Sequence, residues 1–307
     1  MSHRHLLYGL TLESVIPLPE APEIAADGAA DVCIVRGQAS EALLPESSRL
    51  TPNLKIAADA VWLRVPQVGS FLAQGGNRVV IDAEPGADED TLRLFLLGSM
   101  LGAILLQRGF LVLHGNAVAL DGQALLCLGR SGAGKSTLAA AFMKRGHPVL
   151  ADDVVPVCAD GNAIPGIPRI KLWQEAADDL AIDTSGLQRI GRDFEKYHLP
   201  LAHAQPLAPM PVRWVYILIP HDGHDLRFEA IEGRNRFLPL SRNLYRRRFG
   251  SAMGRHEAQL AQIGLLAGRI RLCRILRPAG GDYPAEKLAG LILDDIARNA
   301  PAQGTGG

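Results

Sequence analysis

The stretch Gly129-Arg130-Ser131-Gly132-Ala133-Gly134-Lys135-Ser136 limits the fold of this chain more than any other feature. It fits G-x-x-x-x-G-K-[ST] at every required position. An apolar run at 124–128 precedes it, and a segment of helical pattern from Lys135 to about Arg145 follows. Its glycines let the backbone turn tightly enough for several N–H groups to converge on phosphate oxygens, and the positive end of the following helix points at the same place. A strand–loop–helix unit is therefore expected. Its expected ligand is ATP with Mg²⁺: residues Gly129 to Thr137 wrap the phosphates, Lys135 neutralises the β- and γ-groups, and Ser136 binds the metal. The plain alternative is a glycine-rich turn with no ligand.

The next strand narrows the type. Gly146 stops the helix, Pro148 to Ala151 begin a strand, and Asp152-Asp153 follow sixteen and seventeen residues after Ser136. In many P-loop NTPases the strand bearing the metal-directed Asp comes much later. If this strand pairs in parallel with the one before the loop, their C-terminal ends lie side by side and both carboxylates stand near the γ-phosphate. Alternation along a strand then turns one toward the metal or nucleophile and the other away. A carboxylate held there can accept the proton of a substrate hydroxyl. Asp-Asp at a strand end is otherwise a solvated turn. Upstream, His114-Gly115 interrupts the apolar run 111–120, where a single His is ordinarily a satisfied core residue.

The rest of the chain supplies context. Its 307 residues suggest two domains, and 48% apolar with 21% charged residues suits a globular protein with a substantial core. Lys and Arg (32) balance Asp and Glu (32), so no global field argues for nucleic-acid or membrane partners. Twelve arginines between 227 and 277 face only Glu229, Glu232 and Glu257, and form either a solvated helical surface or an electropositive wall. The four widely spaced cysteines sit in apolar runs, as buried free thiols would in a reducing cytoplasm. The N-terminus has no signal-peptide pattern, and the apolar stretch 94–113 is broken by Gln107, Arg108 and Gly109, so it reads as a buried helix running into a strand.

Short β-like runs at 31–35, 60–65 and 78–81 make residues 1–85 a small β-rich domain. A polar break at 84–90 lets Asp88 or Asp90 cap a helix over 91–108. Strands follow at 111–113, 118–120 and 124–128, with a hairpin turn at Asp121-Gly122. A further strand is expected at 212–219 and helices at 244–248, 257–266 and 285–298. Residues 86–299 thus read as an α/β domain, with a disordered tail at 300–307.

His114-Gly115, the run GRSGAGKST and the run RGHPVLADDVV (145–155) together resemble the HPr kinase/phosphorylase family. That family has a His-Gly, a G-x-S-G-x-G-K-S loop and an R-G-H-x-L-V-A-D-D strand at similar separations. Here Val149-Leu150 swap the two apolar residues before Ala151. The resemblance spans about residues 111–157. It implies a P-loop kinase core of the type shared with phosphoenolpyruvate carboxykinases, and ATP-dependent phosphorylation of a serine on a peptide or small protein, by a homo-oligomer in the cytoplasm. Carried over by position, Lys135 and Ser136 handle phosphate and Mg²⁺, Asp152 joins Ser136 at the metal, Asp153 takes the serine proton, and His114 lies close to that Asp.

Beyond this segment the chain departs from the family. Where the family has E-I-R-G-L-G-I, residues 166–178 read GIPRIKLWQEAAD, so its metal-binding Glu has only Glu175 or Asp178 as candidates. The family's P-V-R-P-G-R-N loop is reduced to residues 238–243, which makes Arg242 a phosphate contact and puts the reverse reaction in doubt. The runs at 8–20, 96–109 and 168–173 resemble instead the HPr-kinase-like proteins of peptide natural-product clusters, some of which phosphorylate the C-terminal serine of a lasso-peptide precursor. Two other readings stand beside the kinase: phosphorylation of a sugar-phosphotransferase carrier protein, and a nucleotide-binding regulatory module without transfer activity. A transport ATPase fits poorly, since the chain has no L-S-G-G-Q stretch and its acidic strand comes too soon. Lys171, Lys196 and Arg169 are substrate or phosphate contacts only against the simpler reading of each as a surface residue, and Trp173 reads as core.

Overall fold

The computed structural model describes residues 2–25, 27–190, 195–203, 205–279 and 283–299, so the tail expected at 300–307 lies outside the described residues. Alternating apolar and polar residues in the first 83 positions build an eight-stranded sheet. Its order is His3–Leu7, Leu10–Ser14, Val32–Arg36, Arg78–Ala83, Gly69–Gln74, Ala60–Val65, Leu54–Ile56, Arg49–Thr51. Only the two pairings of Val32–Arg36 are parallel. Alternation buries Val32 and Ile34 completely and turns Cys33 outward. Cys33 is thus not the buried thiol expected of it. Cys127 and Cys273 are buried, Cys158 is half-buried, and all four are free.

Asp88 caps the next helix, its Oδ2 accepting from the Thr91 N–H at 3.0 Å. The helix expected over 91–108 consists of Glu89–Phe95, a π turn at Leu96–Met100, and Leu101–Gln107. Leu92, Leu96, Met100 and Ile104 pack with Phe71 and Ile81 of the first sheet, and the same core takes in Val112, Val154, Tyr245 and Phe249 from the rest of the chain. Gly102 permits this join: a Cβ there would lie 2.8 Å from the Tyr245 ring.

The second sheet has seven strands, in the order Gln123–Gly129, Leu111–Leu120, Val149–Val157, Asn162–Ala163, Met210–His221, Arg271–Pro278, Arg227–Ile231. An added parallel pairing of Gln123–Gly129 with Met210–His221 curls it back on itself. Two sequence expectations change here. Residues 111–120 form one strand of ten residues, not two short ones. Its polar centre is accommodated because neighbours on both sides bond its backbone, and because Gly115 carries no side chain: a Cβ would sit 2.5 Å from the Cys127 carbonyl. The aspartate strand, Val149–Val157, is also not adjacent to the loop strand. The hairpin at Asp121-Gly122 seats Leu111–Leu120 against the loop strand first, and the aspartate strand pairs antiparallel with its far side. The loop strand and aspartate strand run in the same direction, two strand spacings apart.

One face of this sheet, with Val118, Leu125, Cys127 and Tyr216, packs under the helices Lys135–Lys144 and Ala285–Arg298. The other, with Ala117, Leu126, Val155 and Ile217, packs on His256–Arg269. A two-stranded ribbon, Arg169–Trp173 against Lys196–Pro200, lies beside the loop helix. Its Ile170 and Leu172 are buried in the same core as Phe142. The helix expected at 244–248 is displaced. Leu244 bridges to Leu113, the Tyr245 N–H donates to the Val112 carbonyl at 2.9 Å, and the helix begins only at Arg247, after Arg246 at φ +43°. Among the described residues, no helix is long and apolar enough to cross a membrane.

Candidate functional site

The glycine loop joins Gln123–Gly129 to the helix Lys135–Lys144, with Gly134 at the helix N-cap in the left-handed region (φ +88°). Gly129 stands at φ +148°, and a Cβ there would meet the Leu218 carbonyl at 2.8 Å. Both positions therefore require glycine. Lys135 is buried and curls back to donate to the carbonyls of Gly129 and Arg130, each at 2.9 Å. Burial lowers its pKa, against the opposing pull of Asp152 and Asp153. Asn116, fully buried on the central strand, donates from Nδ2 to the Lys135 carbonyl and ties the helix start to the sheet.

The two aspartates do not split between faces as strand alternation predicts. Asp153 adopts φ +73°, which breaks the alternation, and both carboxylates line one cleft of about 590 Å³. Asp152 accepts from Ser136 Oγ at 3.0 and 3.2 Å and from the Lys171 N–H at 2.9 Å. Its pKa is raised, first by burial and also by the charge of Asp153, against those hydrogen bonds. Asp153 faces His114 Nδ1 at 3.2 Å and Lys171 Nζ at 2.9 Å. Burial works against its charge, but His114 and Lys171 overcome that and hold it well below the usual carboxylate range. His114 Nδ1 also lies 3.1 Å from the Asp153 carbonyl. Both partners accept, so Nδ1 carries the proton.

Lys171 is the residue that sequence reasoning undervalued. The signal was present: in PRIKLW, Arg169, Lys171 and Trp173 alternate with the buried Ile170 and Leu172, so all three must share the other face. Lys171 and Trp173 line the cleft, with Lys196 from the partner strand. Trp173 is not core; it is 48% exposed. Arg169 turns instead to the buried carboxylate of Glu20, 3.4 Å away, which also receives Arg93 at 3.0 Å. Glu175 lines the cleft, whereas Asp178 is engaged by Gln174 Nε2 at 2.7 Å.

Arg242 is not in this cleft. It lies on the other side of the glycine loop, in a second cavity of about 480 Å³ lined by Gly129 to Gly132, Ile217, Pro239 and Arg274. The arginine that does enter the cleft is Arg277, whose Nη1 reaches the Ala133 carbonyl at 3.5 Å. Within the arginine-rich stretch, Arg277 lines the cleft, whereas several others have partners inside the protein. Arg236 and Arg255 bind backbone carbonyls, Arg246 donates to Ser99, Arg271 pairs with Asp295 and Arg274 with Glu229.

Among the described residues, no group of three or more His, Cys, Asp or Glu is placed to hold a metal ion. The oxygen pair of Ser136 and Asp152 nonetheless suits Mg²⁺, a hard cation that keeps several waters and takes one or two protein ligands.

No family model matches this sequence. The HPr kinase/phosphorylase of Clostridium botulinum (strain Eklund 17B) is 41% identical over 91 residues, which is 29% of this chain and 30% of that protein. Its counterpart in Treponema pallidum (strain Nichols) is 42% identical over 57 residues, 18% of each chain. That of Caldanaerobacter subterraneus is 47% identical over 47 residues, 15% of each. The chain is HPr-kinase-like. Its alignments span less than a third of the length of the curated relatives it matches. Among solved structures, the Hpr(Ser) kinase/phosphatase from Coxiella burnetii aligns over 61% of this HPr-kinase-like chain and 91% of that one, at 16% identity and a TM-score of 0.27, too loose to transfer positions.

Proposed function

We propose that this HPr-kinase-like protein transfers the γ-phosphate of ATP to a serine hydroxyl of a peptide or small protein. The observation that carries the reading is the meeting of Asp152, Asp153, His114 and Lys171 beside the first turn of the loop helix. A glycine loop alone holds phosphates; a paired carboxylate site beside it gives the nucleophile somewhere to put its proton.

The loop's N–H groups and Lys135 bind the β- and γ-phosphates. Ser136 and Asp152 would hold Mg²⁺, which when bound neutralises phosphate charge. The serine Oγ forms a bond to the γ-phosphorus as the bond to the β-phosphate oxygen breaks, ADP leaves, and the hydroxyl proton goes to Asp153. Such transfers pass through a loose transition state in which the nucleophile gives up its proton late. A carboxylate held ionised by His114 and Lys171 is therefore adequate as the acceptor, and becomes more basic as Lys171 is drawn toward phosphate. Arg277 adds positive charge to the same cleft. A carrier protein of the HPr type and a peptide precursor ending in serine are the two substrate classes to compare.

The test is incubation with MgATP and each substrate class, read as an added phosphate mass on a serine. Transfer by the wild-type protein that disappears in Asp153→Asn, with nucleotide binding retained, supports the reading. Binding of ATP with no product on either class favours a regulatory module.

A further inference from the structure

Tyr8 of the first sheet reaches the second. With Gly9 it makes the two-residue turn between His3–Leu7 and Leu10–Ser14, the pair standing at φ +55° and +69°. Such turns take Asn or Asp before glycine, because a bulky side chain is strained at positive φ. The ring is nonetheless buried, 3% exposed, in the core that joins the two sheets. Gly166 leaves room for it: a Cβ there would come within 3.2 Å of the Tyr8 ring. Strain held in place by close packing often marks a functional position. Among the described residues the Tyr8 hydroxyl has no hydrogen-bond partner. Burial first, then the charges of Tyr245 and Asp153, raise its pKa against the pull of Arg169, so it stays a protonated donor.

Tyr8, Asp153, Arg169, Lys171 and Leu94 line one narrow crevice of about 10 Å³. That is the room of one water, or of one hydroxyl group. Asp152, Asp153 and Lys171 line both the crevice and the cleft, so the two meet at the proposed base. On its outer side the crevice shares Leu94 and Arg169 with a cavity of about 470 Å³, which also takes in Glu20, Thr91 and His198. In-line displacement sets the side from which an acceptor comes. The glycine loop holds the leaving phosphates, so the attacking oxygen approaches the γ-phosphorus from the opposite side. Among the described residues, none of the glycine loop lines the crevice, as that approach requires.

Resting on the phosphotransfer reading above, we infer that the acceptor serine reaches Asp153 through this crevice, with the Tyr8 hydroxyl donating to its Oγ and the rest of its chain in the outer cavity. The serine's own proton is then left to face Asp153. So narrow a passage suits a serine on an extended segment. The experiment measures initial rates against acceptor and against MgATP for wild type, Tyr8→Phe and Leu94→Trp, with a thermal melt of each protein. The acceptor is the peptide ending in serine or the HPr-type carrier protein, whichever takes up phosphate in the assay above. Tyr8→Phe removes one hydroxyl and keeps the ring. It raises the acceptor KM about two- to tenfold, as loss of one hydrogen bond does, and leaves the MgATP KM unchanged. Leu94→Trp fills the junction of crevice and outer cavity, so transfer is lost while MgATP binding by titration remains. An unchanged acceptor KM in Tyr8→Phe, or undiminished transfer in Leu94→Trp, overturns the inference. So does a Tyr8→Phe protein in which both KM values rise alike, which would make the residue merely structural. If the melt shows that one variant fails to fold, the other decides. If wild type phosphorylates neither acceptor, the phosphotransfer reading fails and this inference with it.

Discussion

The two faces of the glycine loop are furnished with different chemistry. On one, His114, Asp152, Asp153, Lys171 and Arg277 converge on a polar cleft. On the other, Ile217, Leu218, Ile219 and Pro239 line a cavity whose charged lining residues, Arg130, Arg242 and Arg274, are all basic, with Arg274 paired to Glu229 outside the lining. Both faces share the loop residues Ser131 and Gly132, so the loop does not distinguish them. The difference comes from which side the aspartate strand and the ribbon approach. On the proposed reading, phosphotransfer belongs to the side of the loop where a proton acceptor is supplied.

Substitutions on opposite faces test this asymmetry, and the largest effect is expected at the base. Asp153→Asn should lower the rate of phosphate transfer about 10²- to 10⁴-fold, the usual contribution of general acid–base catalysis, while ATP affinity by titration stays near wild type. A rate within about threefold of wild type would remove Asp153 from the chemistry. Next comes the arginine pair. Arg277→Ala should cost roughly 10²-fold in transfer, as loss of one charge-stabilising donor does. Arg242→Ala, across the loop, should stay within about threefold in the same assay; the reverse ranking would move the reacting end to the second cavity.

Gly129→Ala tests the base of the glycine loop, where it borders the second cavity. It should lower folding stability by about 1–3 kcal/mol in denaturant titration, since the new Cβ meets the Leu218 carbonyl in a backbone region that side chains avoid. An unchanged midpoint would mean that the loop relaxes freely.

The smallest expected effect is on stability against pH. Asp152 has a raised folded-state pKa, so the folded state binds its proton more tightly than the unfolded state, and falling pH first favours folding at this site. Asp153 has a lowered one; its stabilisation is present above the ordinary carboxylate range and is lost as pH falls below it. Thermal melts from pH 7 downward should therefore show Asp152→Asn more stable than wild type near neutrality. Asp153→Asn should show a shallower loss on the acid side. A destabilised Asp152→Asn at pH 7 would mean that its two hydrogen bonds outweigh the burial of its charge.

Much of the site is legible in residue order because it is local. The loop glycines, Lys135 and Ser136 act through backbone geometry within eight residues, and a motif of that length carries its own constraint. The Asp-Asp pair is legible for a related reason, since only one helix separates it from the loop. Lys171 was half-legible: the alternation in PRIKLW put it on the open face, but nothing in the string says that this ribbon folds back over the aspartate strand. Arg242 shows the opposite case. Its place in the chain suggested a phosphate contact, yet the segment 243–245 adds to the edge of Leu111–Leu120 and carries Arg242 to the far side of the loop.

By itself the sequence determined the strand–loop–helix unit, the β-rich character of the first 83 residues and the presence of two carboxylates near the glycine loop, because each rests on short-range periodicity and on where glycine is needed. Tertiary structure alone decided that the central strand separates the loop strand from the aspartate strand, that Asp153 turns through a positive φ to share a face with Asp152, and that Lys171 and Trp173 close the cleft. Those outcomes depend on which strand edges pair first and which apolar faces are buried together. Such contacts join residues far apart in the chain, and local pattern does not encode them.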